Sequence, residues 1–123
     1  MVTISKVIER VDAIRPNAFS SEAKTAWLAE LDGQLALNVM LMDISQVQML
    51  RYTWPEDAET QLLARFPHDG IYDHWLIAMI DYHNGEYDKY QNSMEMYNKC
   101  YSQFANWFIR TYDPAQGHAK EGM

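Results

Sequence analysis

The sequence predicts an all-α fold of about four helices, the last two of which form an antiparallel helical hairpin. Three observations lead to this prediction. Apolar residues recur at helical spacings of three and four, capping residues precede these repeats, and Asn84-Gly85 separates the last two predicted helices. A chain of 123 residues is long enough for one domain with its own core and too short for two. We therefore expect a single helical domain over residues 1–112 and a flexible C-terminal tail at 113–123.

Periodicity and capping residues predict the first two helices. An apolar repeat runs from Ile4 to Ile14, and the hydroxyl of Thr3 is placed to cap its start. The motif FSSE at 19–22 then supplies an apolar staple, a hydroxyl cap and a first-turn acid. We expect a second helix to begin there and to continue over about residues 21–38.

Two further periodic segments predict the C-terminal hairpin. Asp69 can cap a third helix, which ends at Asn84-Gly85 because glycine readily takes the left-handed conformation. After this turn, apolar residues recur at alternating spacings of three and four with no interruption, so we expect a last helix of roughly 26 residues. The repeat consists of Tyr87, Tyr90, Met94, Tyr97, Tyr101, Phe104 and Phe108.

The stretch between the two pairs of helices has a different pattern. Over residues 43–70 two prolines interrupt the chain and no helical spacing persists, which predicts one long irregular connection. Residues 61–63 include two leucines that can pack back on the core. Because loops of this length inside a small domain are often functional, we predict a contact loop. Its acidic residues Glu56, Asp57 and Glu59 are candidate interface residues.

The aromatic stripe of the last helix has two interpretations. Aromatic residues at helical spacing usually pack against the next helix, so core packing is the simpler one. However, four Trp and eight Tyr are more large rings than so small a core can fully bury, and these residue types are enriched at protein interfaces. We therefore predict that part of the stripe forms a subunit interface, with Tyr97, Tyr101, Trp107 and Phe108 as candidates.

Composition argues against two classes of partner. Ten Lys and Arg against seventeen Asp and Glu give a net charge of −7, which is unfavourable for binding a nucleic-acid backbone. No apolar run approaches the ~18 residues of a membrane span, and the N-terminus lacks the pattern of a secretory signal. We therefore expect a cytosolic protein with no sequence-specific nucleic-acid binding and no membrane association.

The sequence contains no motif of a known catalytic chemistry. It lacks a Gly-x-Ser-x-Gly elbow, a phosphate-binding glycine loop and a dinucleotide fingerprint. Cys100, the single cysteine, lies within the predicted last helix, where a buried and inert thiol is expected. His68, Asp69, Asp73 and His74 leave a metal site open, although their spacing matches no strong ligand motif. We expect no catalytic residue and no cofactor.

Two blocks of the sequence, residues 15–35 and 71–117, resemble a family of small virion-assembly proteins from phages and prophages of Gram-positive bacteria. The shared features are RPN-x-[FY]-S at the start of the second helix, IY-x-x-WL at the start of the third, DY-x-NGEYDKYQNSM at the hairpin turn and the terminal YDPAQG. The resemblance implies a helical head–tail connector, or adaptor, that assembles as a ring on the portal at the capsid neck. It also implies assembly in the bacterial host cytoplasm and a place in the virion, and it carries over no catalytic residue.

Two alternatives remain open on the sequence alone. A prophage-encoded regulatory module could use the acidic residues of the connection to imitate nucleic acid and so bind a host protein. A metal-binding helical protein could use His68 and His74 as ligands. The connector requires a homo-oligomeric ring and contact with the portal or other neck proteins, and neither alternative requires these partners.

Overall fold

The computed structural model describes residues 2–112, and within this range the chain forms five α-helices and no strand. The helices are α1 (Ile4–Ile14), α2 (Ser21–Asn38), α3 (Ile44–Gln48), α4 (Gly70–His83) and α5 (Tyr87–Tyr112). The all-α prediction is confirmed, with the short α3 as one helix more than expected. The predicted flexible tail at 113–123 lies outside the described residues. No helix of the described part is both long and apolar enough to cross a membrane.

The predicted capping residues explain where the first two helices begin. The Thr3 hydroxyl accepts a hydrogen bond from the Lys6 amide at 3.3 Å, and the Ser20 hydroxyl accepts one from the Ala23 amide at 3.1 Å. Asp69 occupies the cap position of α4, but its side chain makes no capping bond, so this prediction is wrong. Its carboxylate instead lies 3.6 Å from the guanidinium of Arg10, which holds α1 against the start of α4.

Helices α4 and α5 pack as an antiparallel hairpin. The buried carboxylate of Asp81 accepts a hydrogen bond from Ser93 near the turn, and the rings of Trp75 and Tyr97 meet at 5.0 Å in the middle. Because α5 has 26 residues and α4 has 14, α5 extends roughly 18 Å beyond the start of α4, at about 1.5 Å per residue. We call this last part of α5, residues 101–112, the overhang.

Helices α1, α2 and α4 enclose the core with one apolar side of each. Among the fully buried side chains are Val7 and Val11 of α1, Leu28 and Leu31 of α2, and Leu76 of α4. Burying such side chains is the main favourable contribution to folding, at about 1.5–3 kcal/mol each. The three helices therefore enclose most of the core, against which α5 and the connection pack.

The buried charged side chains of α2 and α4 that face α1 form ion pairs. Lys24 is only 3% exposed, and its ammonium group lies 2.8 Å from Asp12 and 3.2 Å from the side-chain oxygen of Asn17. The carboxylate of Asp81 is fully buried and pairs with the guanidinium of Arg15. A buried charge without a partner costs several kcal/mol, so these pairs fix how α1 meets α2 and α4.

The segment between α2 and α4, residues 39–69, is irregular apart from α3, and we call it the connection. Part of it runs alongside the N-terminal residues. There the carbonyl group of Ala58 accepts a hydrogen bond from the Ser5 amide at 2.9 Å, and that of Thr60 accepts one from the Ile4 amide at 3.2 Å. Leu62 is fully buried, which confirms the packing predicted for residues 61–63. The connection therefore satisfies the first donors of α1 and closes one end of the core.

A single buried carboxylate, that of Asp32 on α2, holds the connection in place. It accepts hydrogen bonds from the hydroxyls of Tyr52 and Tyr72, both at 2.6 Å, and from the Leu63 amide at 3.2 Å. The Tyr72 hydroxyl in turn accepts a bond from the Ala64 amide at 2.7 Å. Burial raises the pKa of Asp32, although the hydrogen bonds from the two tyrosines and Leu63 lower it. One side chain thus joins α2, α4 and two parts of the connection.

Replacing Asp32 with Ala is expected to lower the free energy of unfolding by about 3 kcal/mol or more, because it leaves buried donors without an acceptor. Urea unfolding followed by circular dichroism measures this change. Glu30→Ala, on the exposed side of the same helix, is the matched control and is expected to change stability by less than about 0.5 kcal/mol. Equal effects of the two substitutions would contradict the central role of Asp32.

The raised pKa of Asp32 also predicts how stability depends on pH. Between the ordinary Asp pKa of 3.8 and the raised folded value, the native state binds more protons than the unfolded state, so stability falls as pH rises through this window. Asp32→Asn removes the titration. We therefore expect the stability of the wild type relative to Asp32→Asn to decrease from acid pH upward and then level off, as measured by urea unfolding. A relative stability that rises with pH would show that the fold favours the ionised carboxylate.

Candidate protein-binding site

The overhang of α5 forms one wall of an open cleft, which we call the aromatic cleft. The cleft has a volume of about 250 Å³, and the rest of its lining comes from the connection. Its lining residues are Met40, Leu63, Arg65, Phe66, Phe104, Trp107, Phe108 and Tyr112. Because all but one of these side chains are apolar or aromatic, the cleft offers mainly apolar contact to whatever enters it.

Helical spacing places three of these rings on one side of α5. Phe104, Phe108 and Tyr112 are four residues apart, and successive ring centroids lie 6.1 and 4.6 Å from each other. Exposure rises along the series: Phe104 is 2% exposed, Phe108 is half-buried and Tyr112 is 59% exposed. The helix is therefore anchored in the core by Phe104 and leaves the core as it reaches its end.

Trp107 separates the aromatic cleft from a second, more open recess of about 740 Å³. Its ring lies 5.0 Å from the imidazole of His68, which also contacts Phe104 at 5.6 Å. The recess is lined by His68, Gln103, Asn106, Trp107, Ile109 and Arg110. Polar amides and one guanidinium thus lie beside the apolar cleft, so a partner that covers both would meet an apolar centre and a polar margin.

The charge of this surface differs from that of the chain as a whole. The chain carries a net charge of −7, yet α5 has no Asp or Glu from Met96 to Tyr112. Arg65 lines the cleft and Arg110 lines the recess, and none of the described lining residues is acidic. Complementary charges favour correct docking and speed encounter. The site therefore fits a protein segment that is both apolar and acidic.

The four aromatic residues predicted for an interface divide between core and surface. Trp107 and Phe108 lie in the aromatic cleft. Tyr97 is only 6% exposed and packs on Trp75, and burial raises its pKa to about 12. Tyr101 is half-buried, with its ring 6.1 Å from that of Tyr97. The stripe is therefore buried at Tyr97 and Phe104. It is exposed at its start, where Tyr87 is 60% exposed, and half-buried at its end, at Phe108.

The three acidic candidates of the connection lie in a turn over residues 54–59 and largely serve the fold itself. The Asp57 carboxylate accepts a hydrogen bond from the Thr53 amide at 2.7 Å. Glu59 accepts one from the Ser5 hydroxyl at 3.0 Å, which ties the turn to α1. Glu56 is exposed. Two of the three side chains thus have structural partners inside the chain.

The exposed apolar residues of the connection were not predicted from the sequence. Phe66 is 83% exposed, Met49 81%, Leu41 78% and Ile44 63%, and these are among the most exposed large apolar side chains of residues 2–112. Their one signal in the sequence is that they lie outside any helical repeat, so no predicted core accounts for them. The connection therefore remains a candidate contact segment, and its exposed surface is apolar at these four residues and not only acidic.

The structure does not bring the proposed metal ligands together. Within residues 2–112 no three His, Cys, Asp or Glu side chains are grouped so as to hold a metal ion. His68 packs on aromatic rings, and Asp73 accepts a hydrogen bond from Arg10. Cys100, expected to be buried, is half-buried; partial burial and, secondarily, the charge of Asp73 raise the pKa of its thiol. A raised pKa keeps the thiol protonated and weakly nucleophilic.

Two substitutions distinguish the anchored part of the cleft from its exposed part. Phe104→Ala removes a buried ring and is expected to lower the free energy of unfolding by about 3 kcal/mol or more. Phe66→Ala removes an exposed ring and is expected to change it by less than about 0.5 kcal/mol. Urea unfolding of both variants measures the difference. A large loss of stability in Phe66→Ala would show that Phe66 belongs to the core.

Comparison with known proteins does not identify a function for this chain. No protein-family model, characterised protein or solved structure matches the chain. Its function is therefore inferred from the aromatic cleft, from the charges around it and from the sequence features described above.

Proposed function

We propose that this chain is a non-catalytic structural protein that binds other protein chains through the aromatic cleft. The cleft supports this proposal more than any other feature, because it places exposed Phe66, Trp107 and Tyr112 beside a guanidinium. The few residues that carry most of the binding energy at protein interfaces are enriched in tryptophan, tyrosine and arginine. A soluble monomer has no stability reason to expose such a group of rings, since burying them is favourable.

The proposed biological role is a head–tail connector, or adaptor, of a tailed phage. The protein would assemble in the cytoplasm of the bacterial host, form a ring on the portal and remain in the virion. The resemblance of residues 15–35 and 71–117 to phage virion-assembly proteins supports this role, and so does the helical fold. The net charge of −7 is also suitable for a channel through which DNA passes, because like charges repel the phosphates.

The hydrogen bonds of the acidic turn favour this structural role over a regulatory protein that imitates nucleic acid. Such imitation requires carboxylates that are free to meet the basic residues of a partner. Asp57 and Glu59 are instead hydrogen-bonded to Thr53 and Ser5 of the same chain. The aromatic cleft, by contrast, is lined by apolar and aromatic side chains and by one charged residue, Arg65.

Light scattering after size-exclusion chromatography tests the proposal, on the protein alone and mixed with the portal protein encoded in the same gene cluster. We expect the wild type to migrate with the portal. Phe66→Asp is expected to weaken this binding at least about tenfold, since it places a carboxylate in the apolar cleft. Because Phe66 is 83% exposed, the variant is expected to fold.

Tyr87→Asp is the matched control, since Tyr87 is a 60% exposed aromatic residue at the opposite end of α5. It is expected to bind the portal as the wild type does. A wild-type chain that does not bind the portal would refute the connector role. Equal binding by Phe66→Asp and the wild type would refute the aromatic cleft as the contact.

A further inference from the structure

We infer that the aromatic cleft binds residues 41–49 of a second copy of this chain. We call these residues, which include α3, the docking segment. The inference rests on the proposed function, since it names the partner of the same cleft. Three observations on the docking segment carry it: its lack of burial, the backbone conformation of its first residue, and its charge.

The docking segment contains a short helix and several apolar residues, but its helix has no buried side chain. None of the five residues of α3 is buried, although Ile44 begins the helix and Met49 follows its end. A single helical turn is not stable in water without tertiary contacts, because nucleation is unfavourable. Among the helices of the described chain α3 packs only beside α2, and it leaves Ile44 63% exposed and the adjoining Met49 81% exposed. A partner that buries Ile44 and Met49 would supply the missing contacts.

The backbone conformation of Leu41 indicates that its side chain contacts another protein chain. Its φ of 52° lies in the left-handed region, which glycine adopts readily and a leucine adopts at a cost. The side chain is also 78% exposed, so burial in the monomer does not offset this cost. Both observations are explained if the leucine side chain is buried by a partner chain.

The charges of the docking segment and the cleft are complementary. The segment contains Asp43 and no basic residue. The cleft carries Arg65 and no acidic residue among the described side chains that line it. A convex helical turn with apolar side chains and one carboxylate would therefore meet a concave aromatic surface with one cation at its edge, which is the helix-in-groove mode of recognition.

The docking segment of the same chain does not occupy this cleft. Met40 lines the cleft, but the next residue, Leu41, is exposed, and none of residues 41–49 is among the lining residues. The segment thus emerges beside its own cleft and is accessible to a neighbouring copy. Residues 113–123, which follow the cleft in the chain, contain no Phe, Tyr, Trp, Val, Ile or Leu and so offer few large apolar side chains to an aromatic surface. A second copy is therefore the occupant that the observations favour.

Complementation between two variants tests the inference by sedimentation velocity. Ile44→Lys disables the docking segment and leaves the cleft intact, whereas Phe66→Asp disables the cleft and leaves the segment intact. Both positions are exposed, so both variants are expected to fold. The wild type is expected to self-associate, each variant alone to associate at least about tenfold more weakly, and an equimolar mixture to form a one-to-one heterodimer.

Two further variants separate the contact from general effects on folding. Ile14→Lys is the matched control, because Ile14 and Ile44 are both 63% exposed and Ile14 lies outside both surfaces. It is expected to self-associate as the wild type does. Leu41→Gly removes an apolar side chain and relieves the left-handed backbone, so it is expected to weaken self-association without lowering the melting temperature.

The results that overturn the inference differ from those that overturn the proposed function. A wild type that stays monomeric, a mixture of the two variants that fails to associate, or a control that is as defective as Ile44→Lys would each refute self-docking. If the monomeric wild type still binds the portal, and Phe66→Asp abolishes that binding, the proposed function stands and the occupant of the cleft is a different protein.

Discussion

The path of the connection depends on the buried carboxylate of Asp32. A carboxylate removed from water must regain the hydrogen bonds that it loses, and here it regains them from Tyr52, Tyr72 and the Leu63 amide. These donors come from two parts of the connection and from α4, while the acceptor is on α2. The direction in which the chain leaves residue 64 is thereby fixed, and with it the position of Phe66 in the wall of the cleft.

Local rules explain why most of the fold was predictable from the sequence. A helix is specified by residues three and four apart and by side chains at its ends, so the starts of α1, α2 and α5 follow from spacing and caps. The role of Asp32 could not be predicted in this way, because its partners lie 20, 31 and 40 residues away in the chain. Nothing in its immediate neighbours distinguishes it from a surface aspartate.

The candidate site shows the same division between local and non-local information. Phe108 belongs to the helical stripe of α5 and Trp107 directly precedes it, so the sequence alone identified both as interface candidates. Whether a ring of α5 is buried depends on what lies opposite it, which spacing does not give: Tyr97 meets Trp75 of α4 and is 6% exposed, whereas Tyr112 is 59% exposed. The exposure of Phe66 depends on the path of an irregular segment, for which no periodicity exists.

The unequal lengths of α4 and α5 have a consequence for how this protein can change during evolution. Beyond Phe104, which remains in the core, the overhang consists of exposed or half-buried side chains, so substitutions there alter few contacts that the fold requires. The residues that meet a partner can therefore diverge while the core is conserved. Relatives of this chain are expected to share the pattern of α1, α2 and α4 and to differ most at the end of α5, where each lineage adapts to its own partner.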